Sequence, residues 1–442
     1  MPQGSLLAGS RRWIPAWVLG LWGCGALAII FDSEAVRQVA GSIALLIVVH
    51  SCLTRPGLNR GIFLVLFGAA LALIAHSGTW SAIAEGLERA AMISAFLASL
   101  YMLRAVIQTA PRLCEVNDSF TALSPRPRRG MVQLLGVCFG VPLAVGAVSV
   151  IAPLATYQDH DMAAQEDIAG WSIRGIGLSV LFSPFTVAMG IVTASLGERL
   201  QLWKVLLIGL TLALLLLALG FLSGRCSLPR DLPTRFWKAL GWVLGPVLGL
   251  VAVNLALYMS VGLNPLQGTT LFIPPLALGI ALRRGAAARR RMLALTQGYW
   301  RDFDGEITIF SGALIFAVAV TSTPAVQEMV TWLANSVGAN TLIALTALAI
   351  AIPASLGLHM VVPATITLTL FGPVMPNELH VALLGVAALV GWAYGAMAAL
   401  GSLAFLTACK AFGVSPAALA RGENMRFMGA FIGIVCTLVL FL

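Results

Sequence analysis

Charge is what this sequence of 442 residues has least of: 10% of its residues are Asp, Glu, Lys or Arg, while 59% are apolar. Soluble domains carry roughly 25% charged residues, and a fold in water could not cover its surface with less than half of that. The shortage excludes a soluble globular protein and makes lipid the solvent for most of the exterior. Cysteine is present without pattern. The seven (Cys24, Cys52, Cys114, Cys138, Cys226, Cys409, Cys436) form no CxxC and no Cys/His cluster, so they read as small core hydrophobes rather than a disulfide framework or a metal site. GxSxG, HExxH and a Walker A loop are also missing. Without a nucleotide-binding loop the chain cannot drive transport by ATP alone. An intramembrane enzyme or lipid-handling protein that places a few polar residues among helices stays compatible with these absences, as does a channel.

What the sequence has in quantity is long apolar runs, such as 203–222 and 381–408. A helix needs about 20 apolar residues to cross the hydrocarbon core, and a barrel strand about 10 in alternation. The runs exclude a barrel, and backbone satisfaction in lipid then demands helices. Clear spans are expected at 13–31, 38–53, 61–77, 131–152, 203–223, 239–262, 266–282, 340–353, 381–409 and 426–442. Segments 80–110, 174–197, 305–333 and 354–373 carry charge, proline or Ser/Thr clusters and are less regular. Arg11 and Arg12 precede the first run, which is too long for a signal-peptide core and reads as an uncleaved helix with a cytoplasmic N-terminus.

The net charge of +9 comes from short loops between apolar runs, not from a basic domain, so nucleic acid is not an expected partner. Stretches 111–130 and 224–238 each hold four basic residues, and 283–301 holds six arginines and no acid. The positive-inside rule puts all three in the cytoplasm. Two spans separate the last two stretches, as the rule requires. Three candidates (131–152, 174–197, 203–223) separate the first two, which it forbids. One segment therefore fails to cross, with 174–197 or a re-entrant 80–110 as suspects, or one basic loop breaks the rule.

Two of the irregular segments match. Gly177 to Met189 contains Ser183-Pro184-Phe185-Thr186, and Ser355 to Leu368 contains His359 followed by Pro363-Ala364-Thr365. Proline removes a backbone donor and clashes with the preceding turn, and the freed groups then need protein, water or ligand as partner. Interrupted segments at matching places in two halves are the sequence pointer to a transporter binding site. The alternative is a pair of ordinary proline kinks. Segments 80–110 and 305–333 precede the pair, and they end near Thr109-Ala110-Pro111 and Ser322-Thr323-Pro324.

Two halves, each with a hairpin-like segment and then an interrupted helix, resemble the ion transporter superfamily, which includes arsenite, citrate and divalent-anion symporters and tripartite dicarboxylate permeases. The resemblance covers about 60–442 and is strongest over 307–334 and 357–363. It implies an all-α polytopic membrane protein of two inverted repeats with re-entrant hairpins and broken helices. Residues 1–59 would be N-terminal helices. The first repeat (60–223) would carry a hairpin near 80–110 and a broken helix near 174–197. The second (224–442) would carry a hairpin near 305–333 and a broken helix near 354–373. The resemblance further implies Ser322 and Thr323 at a hairpin tip, Pro363 and Thr365 at one helix break, and Ser183, Pro184 and Thr186 at the other. The Ser-Asn-Thr signature of the divalent-anion symporters is absent, since Asn335 and Asn340 lie beyond the hairpin segment.

Charges near membrane depth complete the candidates. Arg104 suits an anion, or snorkels to an interface. Glu85 and Arg89 have the spacing of a helical ion pair. Asp302, Asp304 and Glu306 suit an interface, or a cation or proton role. His359 suits proton exchange, because an unperturbed imidazole titrates near pH 6.5, or it is a packed histidine bonded to a freed carbonyl. The expectation is a secondary transporter of the bacterial inner membrane. It would carry a small anion by alternating access, coupled to H⁺ or Na⁺, with no metal or organic cofactor. Its partners would be the bilayer and the solute, and a homodimer is compatible with it.

Overall fold

Apolar runs of this length have only the helix open to them in lipid, and a computed structural model of the chain contains helices and turns and no strand among the described residues. These are residues 12–55, 57–109, 123–155, 162–229, 234–399, 402–421 and 423–441. Arg11, Cys114, Pro111 and the charges of 111–122 lie outside them, as do Arg230 and Asp231. In order the helices are α1 (Ile14–Phe31), α2 (Glu34–Thr54), α3 (Leu58–Ser77), α4 (Ser81–Gln108), α5 (Pro125–Leu143), α6 (Ala147–Ala155), α7 (Met162–Val180), α8 (Val187–Leu196), α9 (Leu202–Leu222) and α10 (Thr234–Val261). They continue as α11 (Pro265–Arg283), α12 (Ala286–Arg301), α13 (Asp304–Thr321), α14 (Pro324–Val337), α15 (Ala339–Ser355), α16 (Val361–Phe371), α17 (Glu378–Ala398), α18 (Leu403–Phe412), α19 (Pro416–Arg421) and α20 (Glu423–Leu440). Nine helices among the described residues are long and apolar enough to cross a membrane, or up to ten if one bent pair counts as a span. The chain is an all-α polytopic membrane protein.

Contacts divide it into two compact units: Met1–Thr109 with Leu257–Leu333, and Ala110–Ala256 with Ala334–Leu442. Each unit therefore draws on both halves of the sequence, across the boundaries expected at 59 and 223.

In the first unit α4 is the centre, packed on α2, α11 and α13. Gly86 brings α4 against the backbone of Ile315, where a Cβ would lie 2.5 Å from the Ile315 Cα. Small residues of this kind let membrane helices approach closely. Segment 80–110 is not a hairpin. It is one helix of 28 residues, about 42 Å long at 1.5 Å per residue. Its charges settle without a turn: Arg89 binds Glu85 at 2.5 Å, and Arg104 lies over the ring of Tyr299 at 4.4 Å. Along the helix Glu85 and Arg104 are about 28 Å apart, close to the roughly 30 Å thickness of the hydrocarbon core. Both therefore suit the two interfaces. The acids of 302–306 are likewise paired. Arg55 binds Asp302 at 3.1 Å and the buried Asp304 at 2.9 Å, and Tyr101 donates to Glu306 at 2.7 Å.

In the second unit, α5 and α7 run parallel, in register from Arg129–Asp167 through Gly136–Gly175 to Gly140–Ser179. The chain must therefore return between them. It turns at a 3₁₀ segment, Ala144–Gly146, and α6 folds back on α5. Residues 125–155 thus turn back on themselves as a hairpin, although 131–152 has the length of a span. With α7–α8 taken as one interrupted span and α9 as another, two crossings separate Arg129 from Arg225, as the charge rule requires. Arg129 donates to the Arg225 carbonyl at 3.3 Å, so the two basic stretches meet on the same side.

Candidate functional site

The second unit repeats itself. Helix α7 ends at Val180, the chain breaks, and Thr186 caps the ten-residue α8, which closes on Gly197 with φ +54°. Helix α17 ends at Ala398, the chain breaks, and Ser402 caps the ten-residue α18, which closes on Gly413 with φ +68°. Cap and closing glycine are displaced by the same 216 residues in both cases. The preceding helices correspond too. Gly175 in α7 packs on Gly136 of α5, and Gly391 in α17, again 216 residues on, packs on Ala347 and Ile350 of α15. Helix α15 turns at 356–360, and α16 folds back on it. The repeat is therefore a hairpin and an interrupted span, α5–α8 and then α15–α18.

The two copies are inverted. Glu378, which opens α17, is bonded by Gln201 and Lys204, beyond the end of α8. Arg199 donates to the carbonyls of Gly372 and Met375 at 2.6 and 2.7 Å. At the other end Gly177, near the end of α7, packs on Met397, near the end of α17. The spans thus start on opposite sides and meet where each breaks.

Chemistry explains the first break. Pro184 cannot donate to Val180, and it disfavours helical backbone at Ser183. Ser183 is fully buried. Its hydroxyl donates to the Val141 carbonyl at 2.7 Å and accepts from the Phe185 amide at 3.1 Å, which ties the break to the hairpin. Thr186, also buried, donates to the Ser183 carbonyl at 3.3 Å and accepts from the Met189 amide at 3.2 Å. At the second break the Ser402 hydroxyl, 1% exposed, accepts from the Phe405 amide at 3.4 Å. Each short helix thus begins inside the protein, and its first-turn amides and dipole form a positive end. Around these starts, α18 packs on α6 and the Ala144–Gly146 turn, and α8 packs on α16.

The break expected near Met360–Thr365 lies earlier, at 356–360, and it is a hairpin tip rather than an interrupted span. Pro363 is the third residue of α16, inside the first turn, where a missing amide costs little. Pro353 lies in the last turn of α15, as Pro142 lies in the last turn of α5. The Thr365 hydroxyl donates back to the Val361 carbonyl at 2.8 Å. His359 sits at the tip, half-buried. Its Nδ1 accepts from the Val361 amide at 3.4 Å, and its ring meets Trp392 edge-on at 6.5 Å. Beside it Ser355 donates to the Tyr394 hydroxyl at 3.0 Å.

No protein-family model and no curated protein sequence matches the chain.

Ser183, Pro184, Thr186, His359, Pro363 and Thr365 fall in the second unit, while Arg104, Ser322 and Thr323 fall in the first. Ser322 and Thr323 form the turn from α13 to α14. The Thr323 hydroxyl donates to the Ala319 carbonyl at 2.8 Å, and 305–333 is two helices, with the second hairpin at 339–371 instead. Sequence reasoning missed Ser402 and Tyr394. The signal for Ser402 was there: a hydroxyl residue eleven positions before a glycine, as Thr186 stands before Gly197.

Proposed function

We propose that the protein is a secondary active transporter of a small anionic solute, and that the second unit carries the solute site. The observation behind this reading is the inverted pair of interrupted spans, each starting a short helix at a buried hydroxyl cap. Two helix N-termini and their free amides favour an anion. Ser402 supplies a neutral hydrogen bond without fixing a counter-charge, and Ser183 and Thr186 do so by turning their protons from the Val141 and Ser183 carbonyls. The hairpin turns at 144–146 and 356–360 stand at the two breaks and serve as the gates of alternating access. Arg104, on the Tyr299 ring, anchors α4 at an interface in this reading and does not bind the solute.

The hairpin-and-broken-span pattern also supports membership of the ion transporter superfamily, carried by 125–222 and 339–440. The orientation follows from charge. With 125–155 as a hairpin, the stretches around Arg129 and Arg225 fall on one side, and their positive charge makes it the cytoplasm. Four spans, α1 to α4, precede the first of them, so the N-terminus is cytoplasmic as well. The membrane is a bacterial-type inner membrane. His359, at one gate, couples transport to protons; sodium held by hydroxyls and carbonyls is the competing coupling ion.

Counterflow in proteoliposomes tests the reading. A panel of labelled organic and inorganic anions should yield at least one that exchanges saturably, and Ser402→Ala with Thr186→Val should abolish that exchange in folded protein. Exchange of cations or neutral solutes alone would overturn it.

A further inference from the structure

A cavity of about 360 Å³ lies in the second unit between α7, α9 and α20. Its polar end holds three arginines, Arg174, Arg225 and Arg426, and one acid, Glu423, which Arg225 already binds at 2.9 Å. Arg174 is 5% exposed. Its guanidinium is sandwiched by the rings of Trp171 at 4.7 Å and Phe427 at 5.0 Å, and its Nε donates to the Asn424 side chain at 3.0 Å. A buried cation held by a neutral amide and two ring faces is oriented, and the nearby carboxylates Asp167 and Glu423 are ion-paired to Arg129 and Arg225 instead. The opposite wall is apolar. Leu219 and Ile434 line it, and both are about half exposed on the outer faces of α9 and α20. One end of the cavity thus recognises an anion, and the other opens toward acyl chains.

We propose that this cavity binds the phosphate headgroup of an anionic phospholipid, with its chains lying along Leu219 and Ile434. The volume lies within the usual range of ligand pockets, about 300–1,000 Å³. The position, at the end of α9 beside the basic stretch of Arg225, is where basic pockets between membrane helices take acidic headgroups. Free phosphate shares the headgroup chemistry but gains nothing from the apolar wall.

The test is titration of the full-length protein in detergent, read by native mass spectrometry. Its arms are phosphatidylglycerol, phosphatidylcholine and glycerol 3-phosphate. Phosphatidylglycerol should bind in preference to the other two. Arg426→Gln, at an exposed position, should weaken it about fivefold, and Ile434→Trp, which fills the apolar wall, should weaken it as well. Arg174→Gln should weaken it further where that variant folds. Equal retention of phosphatidylcholine, equal binding of glycerol 3-phosphate, or undiminished binding by both Arg426→Gln and Ile434→Trp would overturn the proposal.

Discussion

Gly175→Ala and Gly391→Ala test the repeat at its closest packing. A Cβ on Gly175 would lie closer than 2.5 Å to the Gln133 carbonyl oxygen, and one on Gly391 would meet the Ala347 carbonyl oxygen at 2.7 Å. Ordinary contact begins at about 3.4 Å, so α5 must move from α7 by more than about 0.9 Å, and α15 from α17 by roughly 0.7 Å. Overpacking of this kind costs about 1–3 kcal/mol. Alanine also recovers about 1 kcal/mol of helix propensity relative to glycine, so the net loss at either site is about 0–2 kcal/mol. Gly429→Ala and Gly433→Ala in α20 are the controls, because a Cβ at either would meet nothing within 4 Å. They should gain the propensity term alone. Thermal unfolding of the four purified variants should therefore separate into two pairs about 1–3 kcal/mol apart, with 175 and 391 moving together. If Gly391→Ala is as stable as the controls, α17 does not pack on its hairpin as α7 does, and the repeat fails.

Three further outcomes follow from the same geometry. Thr186→Val and Ser402→Ala each remove an N-cap and should cost about 1 kcal/mol of stability, with Thr186→Ser close to wild type; exchange assays should show a far larger loss than that cost explains. Arg55→Met leaves the fully buried Asp304 carboxylate without its arginine and should destabilise by about 3–5 kcal/mol, whereas adding Asp304→Leu should recover much of it in denaturation assays. If a protonated His359 draws the anion in, apparent solute affinity rises as pH falls through the imidazole titration; His359→Gln should flatten that profile, and an unchanged profile would return the residue to packing.

The sequence exposes this architecture unevenly, for physical reasons. Spans were legible because hydrocarbon accepts little but apolar residues. The break at Ser183–Thr186 was legible because proline is a local chemical signal. The second interrupted span was not: nothing in 391–409 removes a backbone donor, and the run reads as one apolar helix. The hairpins at 125–155 and 339–371 were hidden for a related reason. A helix pair folded back inside protein is as apolar as a span, and only the register of α5 against α7 tells them apart. Charge misled in the opposite direction. Glu85, Arg89 and Arg104 suggested an irregular segment, yet pairing and interface placement satisfy all three on one continuous helix. The positive-inside conflict was the one sequence observation that pointed at a hairpin, although it could not say which run folds back.

The most direct test of the transporter reading is access to the two breaks from the two sides of the membrane. Single cysteines would be placed at Ser183 and Ser402 in a background without the native thiols, and labelled by a membrane-impermeant reagent in oriented vesicles. Alternating access predicts that each position is reached from either side, and that trapping one gate closed removes labelling from that side alone. Labelling of both positions from one side only, or from neither, would contradict it.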